Sequence, residues 1–527
     1  MKKGPDPFSV IGQAIASAGR ATVGGLFRDR ARAQGARVAL VDGARSLTYA
    51  ELDERTDRLA GALAARGAAP GDRVAVLARN CAEYVELELA CAKLGAIVAA
   101  LNWRLAEREL AHCINLVEPR LLVCQPEFEA VLARLDIAVP QRLALGQPYE
   151  RALAEAPPAP QVAADPESGL VILYTSGTTG LPKGAVISHR AMIVRGMCFG
   201  AELSIAPGDT FVAWPPMYHM ASTDQAISTL LRGGKVVVVD GFQPERLVEL
   251  VASEHIGWLV LIPGMIDAMI AALRARPVRP AGIRCCGAMA DLVPRRSIAE
   301  VTQLLQAPFV NSFGSTETGL PPATGALIPI GNVPERLSKR QSAFCEIRLV
   351  DAEDREVPDG QPGELAIRAP TLFSGYWNAA DTNARDFRGG WFHMGDVFRR
   401  NADGTLDFVD RVKYMIKSGG ENIYPAEIEQ VLLADPRVAD AVVVRKADAQ
   451  WGEVPVAFVA RRDERLSADE LLARCEANLA RYKRPREVRF IALEEFPRST
   501  SGKIQRHELE KRGQDPFPGK SGTEKGS

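Results

Sequence analysis

The chain reads as an α/β protein with a large N-terminal domain of parallel sheets covered by helices, a small β-barrel-like subdomain, and a small α+β domain at its C-terminal end. Three observations predict this. At 527 residues the chain exceeds what one hydrophobic core organises, so more than one domain is expected. Short β-branched runs alternate with Ala/Leu-rich helical stretches through the first two thirds, which is the mark of parallel sheets. From about residue 342 the texture changes to short alternating strands with Asp-Gly and Pro-Gly turns.

Taken in order, "DRVAVLA" (Asp72 to Ala78) precedes the helical "CAEYVELELACAKLGA" (Cys81 to Ala96), and "RLLVC" precedes "EFEAVLARL". Further on, "KVVVVD" precedes "PERLVELVASE", and "IGWLVLIP" precedes "GMIDAMIAALRA". Ala159 to Pro166 reads as a surface linker. The segment "AFCEIRLVDAEDREVPDGQPGELAIRAP" supplies the barrel-like strands, and "VADAVVVRKAD", "EVPVAFVARR", "SADELLARCEANLARY" and "EVRFIAL" supply the last compact domain. The polar run from Gly513 to Ser527 reads as a disordered tail.

Composition excludes several classes. Lys plus Arg number 64 against 65 Asp plus Glu, a net charge of −1, so nothing global attracts nucleic acid or an anionic membrane. Nine cysteines without a CxxC pair point to reduced thiols in the cytoplasm rather than a disulfide frame. Nowhere do about 18 uncharged apolar residues run together, and the N-terminus lacks an apolar core with a cleavage site, so a soluble, unexported protein is expected.

The chemistry-bearing stretch is "YTSGTTGLPKGA", Tyr174 to Ala185, directly after the apolar run Gly169 to Tyr174. Glycines after a buried strand let successive N–H groups point into one concavity; hydroxyls add neutral donors, and a lysine adds charge. A flexible surface turn is the bland alternative, but the density of glycine, hydroxyl and lysine favours phosphate. The loop is not a Walker motif, because Pro182-Lys183-Gly184 offers no hydroxyl after the lysine for magnesium.

This loop closely resembles that of the AMP-forming adenylating superfamily, which includes acyl-CoA synthetases, peptide-synthetase adenylation domains and beetle luciferases. The resemblance spans nearly the whole chain. "NSFGSTETG" (Asn311 to Gly319), "GWFHMGD" (Gly390 to Asp396), "DRVKYMIKSGGENIYPAEIE" (Asp410 to Glu429) and "PRSTSGKIQR" (Pro497 to Arg506) follow in the family's order.

The resemblance implies roles residue by residue. Thr175, Ser176, Gly177, Thr178, Thr179, Gly180 and Lys183 match the positions that cover the β and γ phosphates of ATP. Thr316 matches the hydroxyl on the α-phosphate, and Glu317 the carboxylate that orients Mg2+. Phe313 stands where the family commonly stacks tyrosine on adenine, and Gly287, Ala288 and Met289 match the segment on the purine's other face. Asp396 and Arg411 match the pair that fixes the ribose, while Lys503 matches the lysine that reaches the carboxylate and the α-phosphate. Ser418, Gly419 and Gly420 match the glycine segment lining the pantetheine tunnel of coenzyme A. His219 stands at an acyl-tunnel gate, for which a merely packed histidine is an equal reading. Met217, Tyr218, Met220, Ser312 and Gly319 border an apolar acid pocket.

The implied organisation is an adenylate-forming domain over 1–410, a hinge at 411–413 around Lys413, a mobile C-terminal domain over 414–512 and the tail over 513–527. The implied reaction joins a small-molecule carboxylic acid, fatty, alicyclic or aromatic, to CoA by way of acyl-AMP. Delivery to a free-standing carrier protein and a non-catalytic nucleotide-binding regulator are the alternatives, and a homodimer is compatible with the sequence. One segment departs from the family: relatives carry a Gly- and Pro-bearing "SVGRPxPG" run where this chain has "LSKRQSAFCEIRLVD".

Overall fold

The computed structural model describes residues 19–160, 162, 164–175, 181–419, 421–498 and 504–514. By its internal packing the chain divides into two compact units. One runs to Glu346 and takes back Ile367–Trp391; the other comprises Ile347–Ala366 and the chain from Phe392 onward. The division therefore runs through the small β region rather than at residue 410.

The first unit holds two large sheets. In the six-stranded sheet the order is Gln141–Ala144, Leu121–Cys124, Arg73–Leu77, Ile97–Ala100, Gly169–Thr175 and Lys183–Ser188. Its first five strands are parallel and the last is antiparallel. An eight-stranded sheet has a parallel interior, with antiparallel strands Arg45–Thr48 and Leu327–Ile328 at its two edges. The alternating sequence pattern thus yields parallel sheets, as expected. A parallel strand needs a crossover, and the helical runs provide it.

The helix Ala82–Leu94 shows why its sequence lacks a polar face. All of its residues but Glu83 are buried, including Glu86, Glu88 and Lys93. Buried charges need partners. Glu86 accepts from Arg45, Arg55 and the Tyr149 hydroxyl, and the Lys93 ammonium lies 2.6 Å from Asp53 and 2.8 Å from Asp57.

The second unit carries a sheet ordered Glu346–Val350, Pro362–Arg368, Phe392–Arg400 and Leu406–Arg411, its first strand beginning at the unit boundary and its second running two residues past it. It also carries a five-stranded sheet centred on the long antiparallel pair Val438–Asp448 and Gly452–Arg461. One face of that pair packs Val443, Ala457 and Val459 with Ile428, Leu432, Leu471 and Cys475. The other packs Val442, Val444, Val456 and Phe458 with Phe496 and Leu509. Alternate residues of one strand serve the two faces, which is the strand periodicity expressed as two cores.

The last helix, Arg506–Gln514, corrects the expected tail boundary. Gly513 is buried near Val444, and Arg489 donates to the carbonyls of Arg512 and Gly513, so 513 and 514 belong to the domain. The remaining tail residues lie outside the described residues. No helix among the described residues is long and apolar enough to cross a membrane.

Candidate active site

The phosphate-loop reading rests on a hairpin. Gly169–Thr175 pairs antiparallel with Lys183–Ser188, and the register sets Thr175 opposite Lys183 and Tyr174 opposite Gly184. The two ends of the loop are thereby fixed as neighbours across a strand pair. Ser176, Gly177, Thr178, Thr179 and Gly180, between them, lie outside the described residues. Gly184 is required by close approach, since a Cβ there would stand 2.8 Å from Ile172 Cγ2.

Next to Lys183–Ser188 runs the segment 374–377, tied on by Ser374 N–H to the Val186 carbonyl, Val186 N–H to Gly375 and Trp377 N–H to Gly184. This placement brings Tyr376 under the phosphate-loop lysine: the Lys183 ammonium sits 4.0 Å from the Tyr376 ring centroid. The Tyr376 hydroxyl donates to Glu317 Oε1 at 2.8 Å. Burial, then the neighbouring Glu317 carboxylate, pushes the Tyr376 phenol well above its ordinary value, so it stays a neutral donor. Sequence reasoning missed Tyr376; the "GYW" hydroxyl within an otherwise apolar run was the only signal.

Thr316 and Glu317 occupy the turn of a short hairpin, Phe313–Ser315 against Gly319–Ala323. A Cβ on Gly314 would meet the Gly319 carbonyl at 2.1 Å, so only glycine lets the two strands close. The Ser315 N–H donates to the buried Thr318 hydroxyl at 3.1 Å. Phe373 N–H donates to the Glu317 carbonyl at 2.8 Å.

A second missed residue holds this turn from beneath. The buried Arg195 guanidinium donates to the carbonyls of Thr316 at 3.0 Å, Glu317 at 3.1 Å and Thr371 at 2.9 Å, and to Asp224 Oδ2 at 3.1 Å. Four acceptors around one planar fork fix its orientation. Burial raises the Asp224 carboxyl, and Arg195 opposes that rise. Asp224 lies on the helix Met220–Arg232, whose cap is His219. The exposed His219 accepts the Ala221 N–H on Nδ1 at 3.2 Å, which places it structurally as a helix cap.

Gly287 has φ +77°, and a Cβ there would strike the Phe309 ring at 2.1 Å; its carbonyl accepts from the Trp258 indole at 2.9 Å. Ala288 is buried, and Met289 adopts a left-handed φ of 52°. The Met289 N–H donates to the Ser312 hydroxyl at 3.3 Å, so the two segments assigned to adenine and acid meet.

In the second unit, Asp396 and Arg411 are register partners on antiparallel strands. Asp396 Oδ1 accepts from Arg411 Nε at 2.9 Å, and the Asp396 side chain is only 3 % exposed against 42 % for Arg411. Lys413 lies in the turn Val412–Tyr414, its ammonium 4.9 Å from the Tyr414 ring centroid. Ser418 ends the strand Ile416–Ser418, and Gly419 has φ +57°, with its N–H donating to the Trp451 carbonyl at 2.8 Å. A Cβ on Gly419 would lie 2.7 Å from the Trp451 ring. Gly420 and Lys503 lie outside the described residues. Arg506 makes a two-point pair with Glu429 at 2.6 and 2.8 Å.

The chain belongs to the AMP-binding enzyme family: that family's model matches residues 27–377, and the model of the AMP-binding enzyme C-terminal domain matches 427–503. It is 36 % identical over 496 residues to a feruloyl-CoA synthase of an Amycolatopsis species, covering 92 % of this chain and 97 % of that one. An indoleacetate–CoA ligase of Aromatoleum aromaticum is 35 % identical, covering 88 % and 93 %. Among solved structures, the o-succinylbenzoate CoA synthetase of Bacillus subtilis in complex with its acyl-adenylate intermediate superposes with a TM-score of 0.80 at 27 % identity, covering 92 % and 97 %.

Proposed function

We propose that this protein is an AMP-forming acid–CoA ligase acting on aromatic carboxylic acids. The observation that carries the reading is the Lys183–Tyr376–Glu317 arrangement: a cation at the mouth of the phosphate hairpin, and a carboxylate held beside it by a neutral donor. The aromatic class is supported by the relatives named for ferulate, indoleacetate and succinylbenzoate, alongside others named for fatty acids.

A carboxylate resists thiol attack because it is anionic and its oxygen leaves poorly. In the first step a carboxylate oxygen of the acid attacks the α-phosphorus of ATP, and the bond to pyrophosphate breaks. In the second, the CoA sulfur attacks the acyl carbon, the thiol proton is lost and AMP departs. Thr175, Lys183 and residues 176–180 hold the β and γ phosphates, and Thr316 donates to the α-phosphate. Gly287, Ala288, Met289, Ser312 and Phe313 enclose adenine, and Asp396 with Arg411 takes the ribose hydroxyls. Lys503 stabilises the charge where the two anions meet, a role supported by the C-terminal family model reaching that residue. Ser418, Gly419 and Gly420 line the path of the pantetheine arm once 411–413 has turned.

Glu317 fits Mg2+: it is a hard oxygen donor, its Oε1 accepts from a neutral hydroxyl, and this cation takes one or two carboxylates beside phosphate and water. When bound, Mg2+ supplies charge neutralisation on the departing pyrophosphate. We place the protein in the cytoplasm, where its nine free thiols stay reduced.

The test is mass spectrometry of products after incubation with ATP, magnesium, CoA and pooled aromatic, alicyclic and straight-chain acids. Aromatic acyl-CoA together with AMP is expected. Acyl-adenylate without thioester would remove CoA as acceptor and direct attention to a carrier protein. Turnover of straight-chain acids alone would overturn the aromatic assignment.

A further inference from the structure

The segment that replaces the family's Gly- and Pro-bearing run contains a lysine whose surroundings are unlike a surface lysine's. The Lys339 side chain is 0 % exposed, and its ammonium lies 2.5 Å from Asp291 Oδ2 and 2.7 Å from Asn311 Oδ1. Asn311 is itself saturated: its amide nitrogen donates to the carbonyls of Leu337 and Ser338 at 3.0 and 3.1 Å, and its backbone N–H to Ala326 at 3.0 Å. The rest of the segment is pinned too, by Ser342 N–H to the Pro322 carbonyl, Thr324 N–H to the Ser342 hydroxyl and Ala343 N–H to Glu202.

Asp291 follows Gly287–Met289 by two residues, and Asn311 precedes Ser312 and Phe313. Lys339 therefore joins the two segments that the adenylating reading places on either side of the nucleotide base. The Met289–Ser312 hydrogen bond is a second tie between them. That second tie is weak by itself, at 3.3 Å from a residue in the strained left-handed region. A buried ammonium without its acceptors is strongly unfavourable, so the three groups are constrained to stay together.

We propose that Lys339 is a positioning residue: it locks the Gly287–Asp291 loop against Asn311–Phe313 and so sets the width of the nucleotide cleft, in place of the glycine-and-proline run of relatives. This rests on the adenylating reading. Nothing in it requires Lys339 to touch the nucleotide.

The experiment is calorimetric titration of the full-length protein with ATP in excess magnesium chloride, alongside thermal melts and steady-state KM and kcat for ATP. The variants are Lys339→Met, Asp291→Asn and the pair together. Lys339→Met should weaken ATP binding about tenfold, the size of one charge-assisted hydrogen bond. KM for ATP should rise while kcat at saturation changes little. The double variant should recover part of the loss, because the amide introduced by Asp291→Asn leaves no unpaired charge facing the methionine. Where Lys339→Met fails to fold, Asp291→Asn decides; the Asp291 side chain is 22 % exposed, so water can replace the lost contact. Unchanged ATP affinity in a folded variant, with the loss confined to melting temperature, overturns the proposal. Absence of ATP binding by the wild-type protein overturns the adenylating reading, and this inference with it.

Discussion

The two units hold their key carboxylates in opposite ways. Glu317, in the first, is held by a phenol, with the lysine over the face of that ring. Asp396, in the second, is held by a guanidinium. A neutral donor fixes a carboxylate without cancelling its charge, which suits the cation-binding role proposed for Glu317. An arginine cancels most of the charge, which suits the hydroxyl-accepting role proposed for Asp396. Two acidic residues that look interchangeable in the sequence thus stand in different electrostatic settings.

The largest expected effect follows from removing the uncancelled charge. Glu317→Gln keeps an acceptor for Tyr376 but loses the anion, and adenylation should fall about a hundredfold or more, measured as ATP–pyrophosphate exchange over a magnesium titration. An unaltered magnesium dependence would break the contrast. Asp396→Asn should act on nucleotide affinity, raising KM for ATP by about tenfold with magnesium dependence intact, since a charged acceptor is replaced by a neutral one. A change in magnesium requirement there would erase the distinction between the two sites.

Tyr376→Phe separates the two functions of that ring. The face beneath Lys183 survives and the hydrogen bond to Glu317 is lost, so KM for Mg-ATP should shift by about three- to fivefold at most. A Leu replacement, which also removes the ring face, should cost more.

The smallest effect sharpens the comparison through pH. In the first unit burial pulls the His189 imidazole down to about 4, and its Nδ1 accepts the Val23 N–H. A group that must stay neutral loses stability as pH falls, so that unit weakens from about pH 6.5 towards 4. In the second unit burial raises the Asp410 carboxyl to about 6. Its folded form binds a proton more tightly than the unfolded chain does, so that unit weakens as pH rises from about 4 to 6 and is level above. Each effect is about 3 kcal/mol at most. Hydrogen exchange followed separately on the two units between pH 4 and 7 should show opposite slopes. His189→Gln should flatten only the first and Asp410→Asn only the second; parallel slopes would contradict both assignments.

Much of the site was legible because phosphate chemistry needs glycines, hydroxyls and a lysine close together in sequence, and the hairpin at Thr175 and Lys183 follows directly. Asp396 and Arg411 were also readable, although fifteen residues apart, because each sits in its own motif; their register across two strands then supplied the contact. Arg195 and Tyr376 were not legible. Each acts through partners far away in sequence, such as Arg195 with Thr316, 121 residues on, and neither stands in a chemically conspicuous run. His219, which the sequence leaves evenly between a gate and a packed histidine, accepts the Ala221 N–H as a helix cap, a contact that backbone geometry decides.

By itself, then, the sequence determined the alternation that makes parallel sheets, the order of the phosphate, carboxylate and lysine segments, and the family, since all of these are local patterns of polarity and spacing. Tertiary structure alone decided that a phenol holds Glu317, why a fully buried lysine is tolerated at 339, and where the chain divides into compact units. The physical reason is that burial and pairing energies belong to side chains brought together across tens of residues, 59 for Glu317 with Tyr376 and 48 for Lys339 with Asp291, and no local period encodes them.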